Sequence, residues 1–328
     1  MRVVDYFAGA GGFTLGAQLA GCEVVQAINH NPVAVDCHAR NHPDVRHACE
    51  DLTRFDPRRL AEFDILVGGP ACQGHAHAHG AQDRPRGKSS KSAVPLAAKW
   101  DADRATAWSI IDCAEVRRPR GIAVENIMPF LRWALFPCWL DALRRLNYGV
   151  RVNVLNSAAW GVPQDRPRVY VTAIYGAPAP AVVEPILARP APIGDVIAWG
   201  EGVWNPVAEK ADATRARVER GRRAFGRRFV MPYNGSGSGL TGRSIERPIG
   251  TITAADRWAV VDGDVMRMLS VDELRAAMGF PEGYVLPPTR DAATEALGNA
   301  AVPVVAAAAV GAVAEVIRAR RGSRRVIQ

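Results

Sequence analysis

No two of the six cysteines stand in CxxC spacing, and the sequence holds no long acidic run and no internal repeat. In a chain of 328 residues, such cysteines are better explained as reduced thiols than as a disulfide framework. The N-terminus shows neither a cationic leader nor a cleavage pattern, and no apolar run is expected to be long enough to cross a bilayer. These absences argue against secreted and membrane proteins, so we expect a cytoplasmic location without membrane contact.

Basic residues are in excess, since 41 Lys and Arg stand against 33 Asp and Glu, and the formal net charge is +8. The excess is concentrated in three clusters, Asp83–Ser92, Arg215–Arg228 and Arg318–Arg325. A solvated surface would explain any one of them, but three clusters without long acidic runs favour a polyanionic partner. We therefore expect the partner to be nucleic acid.

The first half of the chain alternates short apolar runs with amphipathic stretches, which is typical of a parallel sheet flanked by helices. The predicted strands are Val3–Phe7, Glu23–Ile28, Ile65–Val67, Gly121–Val124, Val150–Leu155 and Val169–Ile174. The predicted helices include Thr14–Leu19, Val33–Arg40, Ala105–Val116 and Trp133–Leu146. This alternation predicts an α/β fold with a doubly wound, mostly parallel sheet.

From about Ala177 the composition changes. A stretch rich in proline and alanine is predicted to be a linker, and the region after it has no clear helical period. The Gly/Ser-rich stretch Asn234–Gly242 is either a spacer or a recognition loop, and the spacer is favoured. Ser270 and Glu273 form a predicted capping box at a helix start, and Ala300–Ile317 is predicted to be a helix that packs on the sheet.

The stretch DYFAGAGGFTLG, Asp5–Gly16, has the order strand, glycine-rich turn and helix start. Glycines let the backbone approach a ligand closely, although a tight turn without a ligand would also explain this stretch. The next strand ends in Asn29 and His30, where a dinucleotide-binding fold has an acid for the ribose. An acidic residue, Asp51, stands at the end of the third strand–helix unit. This arrangement favours a nucleoside ligand without a diphosphate over NAD.

Cys72 lies just beyond the apolar run FDILVGG, where open α/β sheets place their ligands. A free cysteine is more often an inert buried residue than a nucleophile. Three further stretches favour the nucleophile: ENI at Glu125–Ile127 after a strand, QDRPR at Gln164–Arg168 before a strand, and LGNAAVP at Leu297–Pro303 before the last helix. Together with the position of Cys72, they predict a catalytic cysteine.

In this order, the stretches FAGAGG, PACQG, ENI, QDRPR and GNAAVP resemble the motifs of the DNA cytosine-5 methyltransferases. The resemblance spans nearly the whole chain apart from about 177–246. It implies a class I methyltransferase fold, which is Rossmann-like, with S-adenosylmethionine as methyl donor and S-adenosylhomocysteine as product. It also implies a catalytic domain over 1–178 that is completed by 271–328, and a small target-recognition domain over 179–270.

The resemblance implies roles for five catalytic residues. The Cys72 thiolate adds to C6 of a cytosine flipped out of double-stranded DNA, and C5 then attacks the methyl group. Glu125 carries a proton to N3 of the base, and Asn126 holds the local turn. Arg168 contacts the base O2, while Arg166 supports the site or binds a phosphate.

The resemblance also implies two sets of binding residues. The cofactor-binding set is Phe7, Ala8, Gly9, Gly11, Gly12, Asn29, His30, Asp51, Leu52, Pro70, Asn299 and Ala301. The substrate-binding set is Gln73, Gly74, Gln164 and Thr253. No metal is expected, because the Ala and Gly neighbours of His75, His77 and His79 favour loop or DNA-backbone contacts over a zinc site.

Three features depart from the family pattern. Ala71 replaces a proline before the nucleophile, which loosens that turn. His30 stands in place of the ribose-binding glutamate, which puts the affinity and identity of the cofactor in doubt. The extra alanine in GNAAVP is expected to shift contacts at the methionine end of the cofactor.

We therefore expect a monomeric DNA cytosine-5 methyltransferase that acts alone or beside a separate restriction endonuclease. Two alternatives stay open. One is methylation of cytosine in RNA, since a few family members use tRNA, and the other is a catalytically silent DNA-binding protein of the same fold. The target sequence cannot be derived, because base contacts depend on loop geometry that has no readable code.

Overall fold

The computed structural model describes residues 1–71, 105–187, 189–233, 242–255 and 257–325. Its strands are β1 (Arg2–Tyr6), β2 (Glu23–Asn29), β3 (Arg46–Cys49), β4 (Ile65–Gly68), β5 (Gly121–Ile127), β6 (Tyr148–Asn156), β7 (Gln164–Asp165), β8 (Pro167–Tyr175), β9 (Asn205–Pro206), β10 (Arg228–Pro232), β11 (Arg243–Ser244), β12 (Ile249–Gly250), β13 (Trp258–Asp262) and β14 (Val265–Met268). Its α-helices are α1 (Gly12–Leu19), α2 (Pro32–Asn41), α3 (Trp108–Arg117), α4 (Phe136–Arg145), α5 (Asp212–Phe225), α6 (Val271–Ala277), α7 (Arg290–Asn299) and α8 (Pro303–Arg325). Short 3-10 helices lie at Pro57–Arg59, Met128–Arg132, Ser157–Trp160, Ile193–Val196 and Val207–Glu209.

The chain divides into two compact units. The first unit comprises Met1–Leu155, Pro167–Val183 and Val305–Gln328, and the second comprises Asn156–Arg166 and Glu184–Val304. The sequence predicts that 271–328 complete the domain formed by 1–178. In the structure, 271–304 belong to the second unit and 305–328 to the first. The naming of one catalytic and one recognition domain stays a prediction.

The sheet of the first unit has, within the described residues, the strand order β3-β2-β1-β4-β5-β8-β6. Its β1 lies parallel to β2 and β4, the pairs β2–β3 and β4–β5 are also parallel, and β8 runs antiparallel to β5. This topology confirms the predicted α/β fold with a mostly parallel sheet. The sequence missed β3, whose residues RHAC form no apolar run and lie half-buried or exposed.

Helices pack on both faces of this sheet. On one face, α3 and α4 share a core with β1 and β5, in which Ile110 and Leu143 join Tyr6 and Val124. Gly121 points to the opposite face, because successive strand residues alternate. A Cβ on Gly121 would lie only 2.3 Å from Cγ1 of Val313, so glycine is what allows α8 to approach β5 so closely.

The apolar character of α8 corrects one expectation from the sequence. Within 290–322 the chain holds an 18-residue window with a mean hydropathy of 2.1, which is long and apolar enough to span a membrane. The expectation that no such run exists is therefore wrong in terms of length and composition. In the structure 61% of that window is buried inside the protein. Val310 and Val313 are fully buried, as in the core helix of a folded domain.

The second unit is built around an antiparallel sheet with the order β11-β10-β13-β14-β9 among the described residues. One side of this sheet forms a small core with α5, in which Val218 packs with Phe229, Val261 and Met266. The unit therefore has an apolar centre of its own.

Helix α5 lies in the region after the predicted linker, where the sequence shows no clear helical period. Its sequence DATRARVERGRRAF buries only Val218 and Gly221, so the apolar positions are too few to produce a visible period. Gly221 is needed for this packing, because a Cβ there would lie 2.3 Å from Cε2 of Phe229. Much of the basic cluster at 215–228 is thus presented on a helix.

The predicted capping box at the start of α6 is confirmed. The Glu273 amide donates to Ser270 Oγ at 3.1 Å, and the Ser270 amide donates to Glu273 Oε2 at 2.6 Å. Arg267 donates to both carboxylate oxygens of Glu273 at 2.7 Å, and both side chains are buried. The helix start is therefore tied to the end of β14.

Candidate active site

Four adjacent strands of the first unit present the predicted cofactor residues. Phe7 follows β1, Asn29 ends β2, Asp51 follows β3, and Pro70 follows β4. Because β3, β2, β1 and β4 are parallel neighbours, their carboxyl ends form one edge of the sheet, where open α/β folds bind ligands. The predicted cofactor residues of the first unit therefore share this edge.

The glycine-rich turn after β1 has a left-handed backbone at three positions. The φ angle is 60° at Phe7, 52° at Gly9 and 89° at Gly11. The Gly11 amide donates to Ala8 O at 2.8 Å and closes the turn, and Gly11 precedes the first residue of α1 without a side chain to cap it. Amides at such a helix start suit an anionic group, as the carboxylate of a methionine moiety would provide.

The ends of β2 and β3 offer polar groups. Asn29 Oδ1 accepts from the Asn31 amide at 2.9 Å, and the exposed His30 accepts through its carbonyl from Cys49 Sγ at 3.6 Å. Asp51 accepts hydrogen bonds from the amide and the hydroxyl of Thr53 at 2.9 and 2.8 Å, and these bonds lower the pKa of its exposed carboxyl. Asp51 is thus an exposed anionic group that can accept hydrogen bonds from hydroxyl or amino donors.

Glu125 and Arg168 form an ion pair at the end of β5. The strand register places Ile127 opposite Arg168, so the two side chains come from neighbouring antiparallel strands. Arg168 Nε lies 3.1 Å from Glu125 Oε1, and the side chains are 13% and 9% exposed. The Arg168 guanidinium also donates to its neighbour's carbonyl, Pro167 O, at 2.8 Å. The predicted carboxyl and guanidinium therefore lie side by side at the rim of the sheet.

The segment that leads to Cys72 is anchored beside this pair. Asn126 Nδ2 donates to Pro70 O at 3.2 Å, and its Oδ1 accepts from the Ile127 amide at 2.8 Å. The Ala71 amide donates to Thr106 Oγ1 at 3.0 Å. Asn126 thus links the end of β5 to the segment at Pro70, and its catalytic role stays a prediction. Thr106 was missed by sequence reasoning, and nothing in its surroundings could have indicated it.

Six residues singled out from the sequence lie outside the described residues. These are Cys72, Gln73, Gly74, His75, His77 and His79. Among the described cysteines, Cys22, Cys37 and Cys113 are buried, while Cys49 and Cys138 are exposed. Burial raises the pKa of Cys37 to about 11 and that of Cys113 to about 12, so these thiols are poor nucleophiles at neutral pH.

In the second unit, Gln164 and Arg166 are buried inside the fold. Gln164 Nε2 donates to Ala277 O at 3.1 Å, and its Oε1 accepts from the Ile252 amide at 2.9 Å. Arg166 donates to main-chain carbonyls and is 2% exposed. These contacts hold the unit together, whereas contacts with base or phosphate stay a prediction for both residues.

The remaining predicted residues of the second unit lie nearer its surface. Thr253 is half-buried and its hydroxyl donates to Ala255 O at 3.1 Å. Asn299 ends α7 and is exposed, while Ala301 is 7% exposed. Throughout the part of the chain that the structure describes, no group of three or more His, Cys, Asp or Glu residues could hold a metal ion.

A buried polar chain beneath the glycine-rich turn was also missed. Thr14 Oγ1 donates to Asp5 Oδ2 at 2.8 Å, His38 Nε2 lies 3.0 Å from Thr14 Oγ1, and His38 Nδ1 lies 2.7 Å from His47 Nε2. The ring of His42 lies 4.7 Å from that of His38. The available signal in the sequence was the set of three nearby histidines, with His38 on α2, His42 directly after it and His47 on β3.

Comparison with known proteins gives a family and a fold. A profile of the C-5 cytosine-specific DNA methylases matches residues 1–184. The Type II methyltransferase M.AgeI of Thalassovita gelatinovora is 28% identical over 182 residues, and the match covers 52% of this chain but only 39% of that protein. The Type II methyltransferase M1.HphI of Haemophilus parahaemolyticus is 25% identical over 339 residues, covering 95% of this chain and 86% of that protein.

Among solved structures, the S. pombe Dnmt2 methyltransferase superposes with a TM-score of 0.69 at 15% identity. The superposition covers 97% of this chain and 99% of the other. At this identity the likeness establishes the fold alone.

Proposed function

Because this chain belongs to the family of C-5 cytosine-specific DNA methylases, we propose that it transfers a methyl group from S-adenosylmethionine to C5 of a cytosine in double-stranded DNA. The observation that carries the proposal is the Glu125–Arg168 pair at the sheet rim, beside the anchored segment that leads to Cys72. Both relatives described above bear the name Type II methyltransferase, which favours DNA as the substrate.

The proposed reaction is covalent catalysis by Cys72. Its thiolate adds to C6 of the base, which makes C5 nucleophilic enough to attack a methyl group. S-adenosylmethionine supplies that methyl group in electrophilic form and leaves as S-adenosylhomocysteine. Loss of the C5 proton to water and elimination of the Cys72 thiolate then restore the C5–C6 double bond. Since C5 and C6 are inaccessible inside a duplex, the target base is flipped out.

Glu125 and Arg168 change partners during this reaction. Before the base binds, Arg168 Nε lies 3.1 Å from Glu125 Oε1. When cytosine enters, the Arg168 guanidinium turns to the base O2 and stabilises the negative charge that develops there. Loss of its cation then favours protonation of Glu125, which hydrogen-bonds N3 and promotes addition at C6.

The cofactor residues fit S-adenosylmethionine by their chemistry. The glycine-rich turn and the start of α1 would hold the methionine carboxylate, and Asp51 would accept from the adenosine. His30 stands in place of a ribose-binding glutamate and so removes an anionic acceptor, which should change the affinity for the cofactor. Asn299 and Ala301 stay proposed cofactor residues on the resemblance of GNAAVP to the family's motif alone.

The wider setting follows from this activity. A DNA-modifying enzyme works where cellular DNA lies, so the proposal includes the cytoplasm as location. The proposal also takes a monomer as the working form. A separate restriction endonuclease is the proposed partner, in keeping with the Type II names of the relatives.

The test is methyl transfer from labelled S-adenosylmethionine to duplex DNA and, separately, to tRNA. We expect label in DNA cytosines, located by bisulfite sequencing. Label in tRNA alone would replace DNA by RNA as the substrate. The absence of label in both, with retained DNA binding, would identify a silent DNA-binding protein.

The nucleophile is tested with 5-fluorocytosine at the target position, which blocks the release of the adduct. We expect a covalent protein–DNA complex that Cys72→Ala abolishes. The matched control is Cys138→Ala, which removes an exposed cysteine and should leave the complex intact. A complex that persists in Cys72→Ala would exclude the proposed nucleophile.

A further inference from the structure

Arg166 joins two segments of the second unit that are distant in sequence. One is the 251–255 segment, which contains Thr253, and the other is the 298–301 turn, which contains Asn299 and Ala301. Arg166 Nη1 donates to Ile252 O at 2.6 Å, and its Nη2 donates to Gly298 O at 2.7 Å and to Ala300 O at 3.0 Å. A single planar guanidinium therefore holds both segments.

The two segments also touch directly at Gly298. A Cβ at this position would lie 2.2 Å from the Thr253 carbonyl carbon and 2.3 Å from the Ala254 amide nitrogen. Any side chain at 298 would push the segments apart, so glycine is required for their close packing. The guanidinium thus bridges segments that are already in contact.

Arg166 is itself held in place. Its amide donates to Asn156 Oδ1 at 3.0 Å, and the adjacent Asp165 carbonyl accepts from Thr251 Oγ1 at 3.1 Å. The short strands β7 and β12 pair in parallel, with Ile249 opposite Gln164. The base of the Arg166 side chain and the 251–255 segment therefore belong to one hydrogen-bonded frame.

A displacement of one segment relative to the other is costly. Arg166 is 2% exposed, so water cannot replace a carbonyl that moves out of reach. Hydrogen bonds from a charged donor are stronger than neutral ones, and a buried cation that loses its acceptors is strongly destabilised. The end of α7 also gains from a cation near its last carbonyls. The two segments consequently move together.

We propose that Arg166 is a positioning residue that couples cofactor binding at the 298–301 turn to DNA binding at the 251–255 segment. This inference rests on the proposed function, because it takes S-adenosylmethionine and DNA as the two ligands. A ligand that orders one segment orders the other through the guanidinium, so the second ligand binds to a segment that is already fixed. By thermodynamic linkage the effect is the same in both directions.

The test measures the dissociation constant of S-adenosylhomocysteine by calorimetry, with and without a saturating duplex that contains the target site. The non-reactive product is the probe because it prevents turnover. For the wild-type protein we expect DNA to tighten binding about tenfold. The coupling ratio is the dissociation constant without DNA divided by that with DNA. In Arg166→Met this ratio should fall to near one. Arg166→Lys keeps the charge but loses the planar fork, and should give an intermediate ratio.

Arg267→Met is the matched control. Arg267 is a buried arginine of the same unit that binds Glu273 and the Ala198 carbonyl, at 2.7 and 2.9 Å. Its removal should lower the melting temperature and leave the coupling ratio unchanged. A general loss of stability would reduce the ratio in both variants and would overturn the inference.

Further outcomes separate the inference from the proposed function. A folded Arg166→Met protein with the wild-type ratio overturns the inference, and where that variant fails to fold, a wild-type ratio in Arg166→Lys does so. A wild-type enzyme that methylates DNA but has a ratio of one also overturns the inference while the proposed function stands. A wild-type protein that methylates neither DNA nor RNA overturns both.

Discussion

Glu125 is the residue on which the proposed chemistry can be tested most directly. Replacing it with glutamine keeps the size and a hydrogen bond to the base, but removes the transferable proton. We expect Glu125→Gln to lower kcat by about 100-fold or more, in the range of general acid–base catalysis. Stopped reactions with labelled S-adenosylmethionine would measure this loss.

The control for that substitution is Glu62→Gln, which removes the exposed partner of Arg117. Its kcat should match the wild type, since a surface ion pair contributes little. If Glu125→Gln kept the wild-type rate, proton transfer from this residue would be excluded.

Part of the site could be predicted from local sequence and part could not. From the sequence, the motif ENI was expected to place Glu125 after one strand, and QDRPR to place Arg168 before another. In the structure, the pairing of β5 with β8 brings the two side chains together. Arg166 stands two positions away from Arg168, and no local pattern distinguishes its buried carbonyl contacts from a contact with substrate. Its partners lie 86 to 134 residues further along the chain, and only the folded structure reveals them.

At the scale of elements, the buried chain that joins β1, α1 and α2 is expected to make stability depend on pH. Burial, reinforced by neighbouring histidines, lowers the pKa of His38 to about 3 and that of His42 to about 4. Burial raises the pKa of Asp5 to about 7. Asp5 Oδ1 is a buried oxygen for which the described residues provide no hydrogen-bond partner, which also favours the protonated form.

These groups act in opposite directions between about pH 4 and 6.5. The unfolded chain protonates His38 and His42 in this window while the folded protein does not, so acid destabilises the fold. Asp5 carries a proton only in the folded state, which offsets one of the two histidines. Burial also lowers the pKa of His47, which adds to the effect of the other two histidines. This group of residues should therefore make wild-type stability fall with decreasing pH, with a net uptake of more than one proton on unfolding.

Asp5→Asn removes the offsetting group. For each pH unit below about 6.5, the free energy of unfolding of Asp5→Asn should fall by about 1.4 kcal/mol more than that of the wild type. Urea unfolding at a series of pH values measures the two slopes. Parallel curves for the two proteins would rule out a proton on Asp5 in the folded state.

The start of α6 allows a second test at this scale. Ser270→Ala removes the hydroxyl that accepts from the Glu273 amide, and should lower the free energy of unfolding by about 1 kcal/mol. Ser270→Thr keeps a capping hydroxyl and should lie within a few tenths of the wild type. Equal urea midpoints for the alanine and threonine variants would contradict a stabilising cap.

Elements were predictable where burial leaves a pattern in the sequence. The strand β4 has the run ILVG, which is wholly buried, as parallel strands covered on both faces are. Helix α5 was missed because it rests on a small core through Val218 and Gly221 and exposes most other positions. Its stability comes from contact with the sheet of the second unit, a tertiary effect that local periodicity does not record.

For the whole molecule, the net charge of +8 predicts strongly salt-dependent DNA binding. Neutralising phosphates releases counterions, so the logarithm of the association constant should fall linearly with the logarithm of salt concentration. Fluorescence anisotropy with a labelled duplex between about 50 and 200 mM salt measures this slope. Binding of S-adenosylhomocysteine without DNA is the control and should change little. DNA affinity that does not vary with salt would exclude a phosphate-dominated interface.

The position of α8 in the chain has a consequence for biosynthesis. This helix packs against Gly121 of the first unit, yet the part of it that belongs to that unit, from Val305 onward, follows the entire second unit in sequence. While the ribosome is still translating the middle of the chain, the part of the first sheet around Gly121 lacks the helix that packs against it in the folded protein. The first unit can therefore complete its packing only after this last helix has left the exit tunnel.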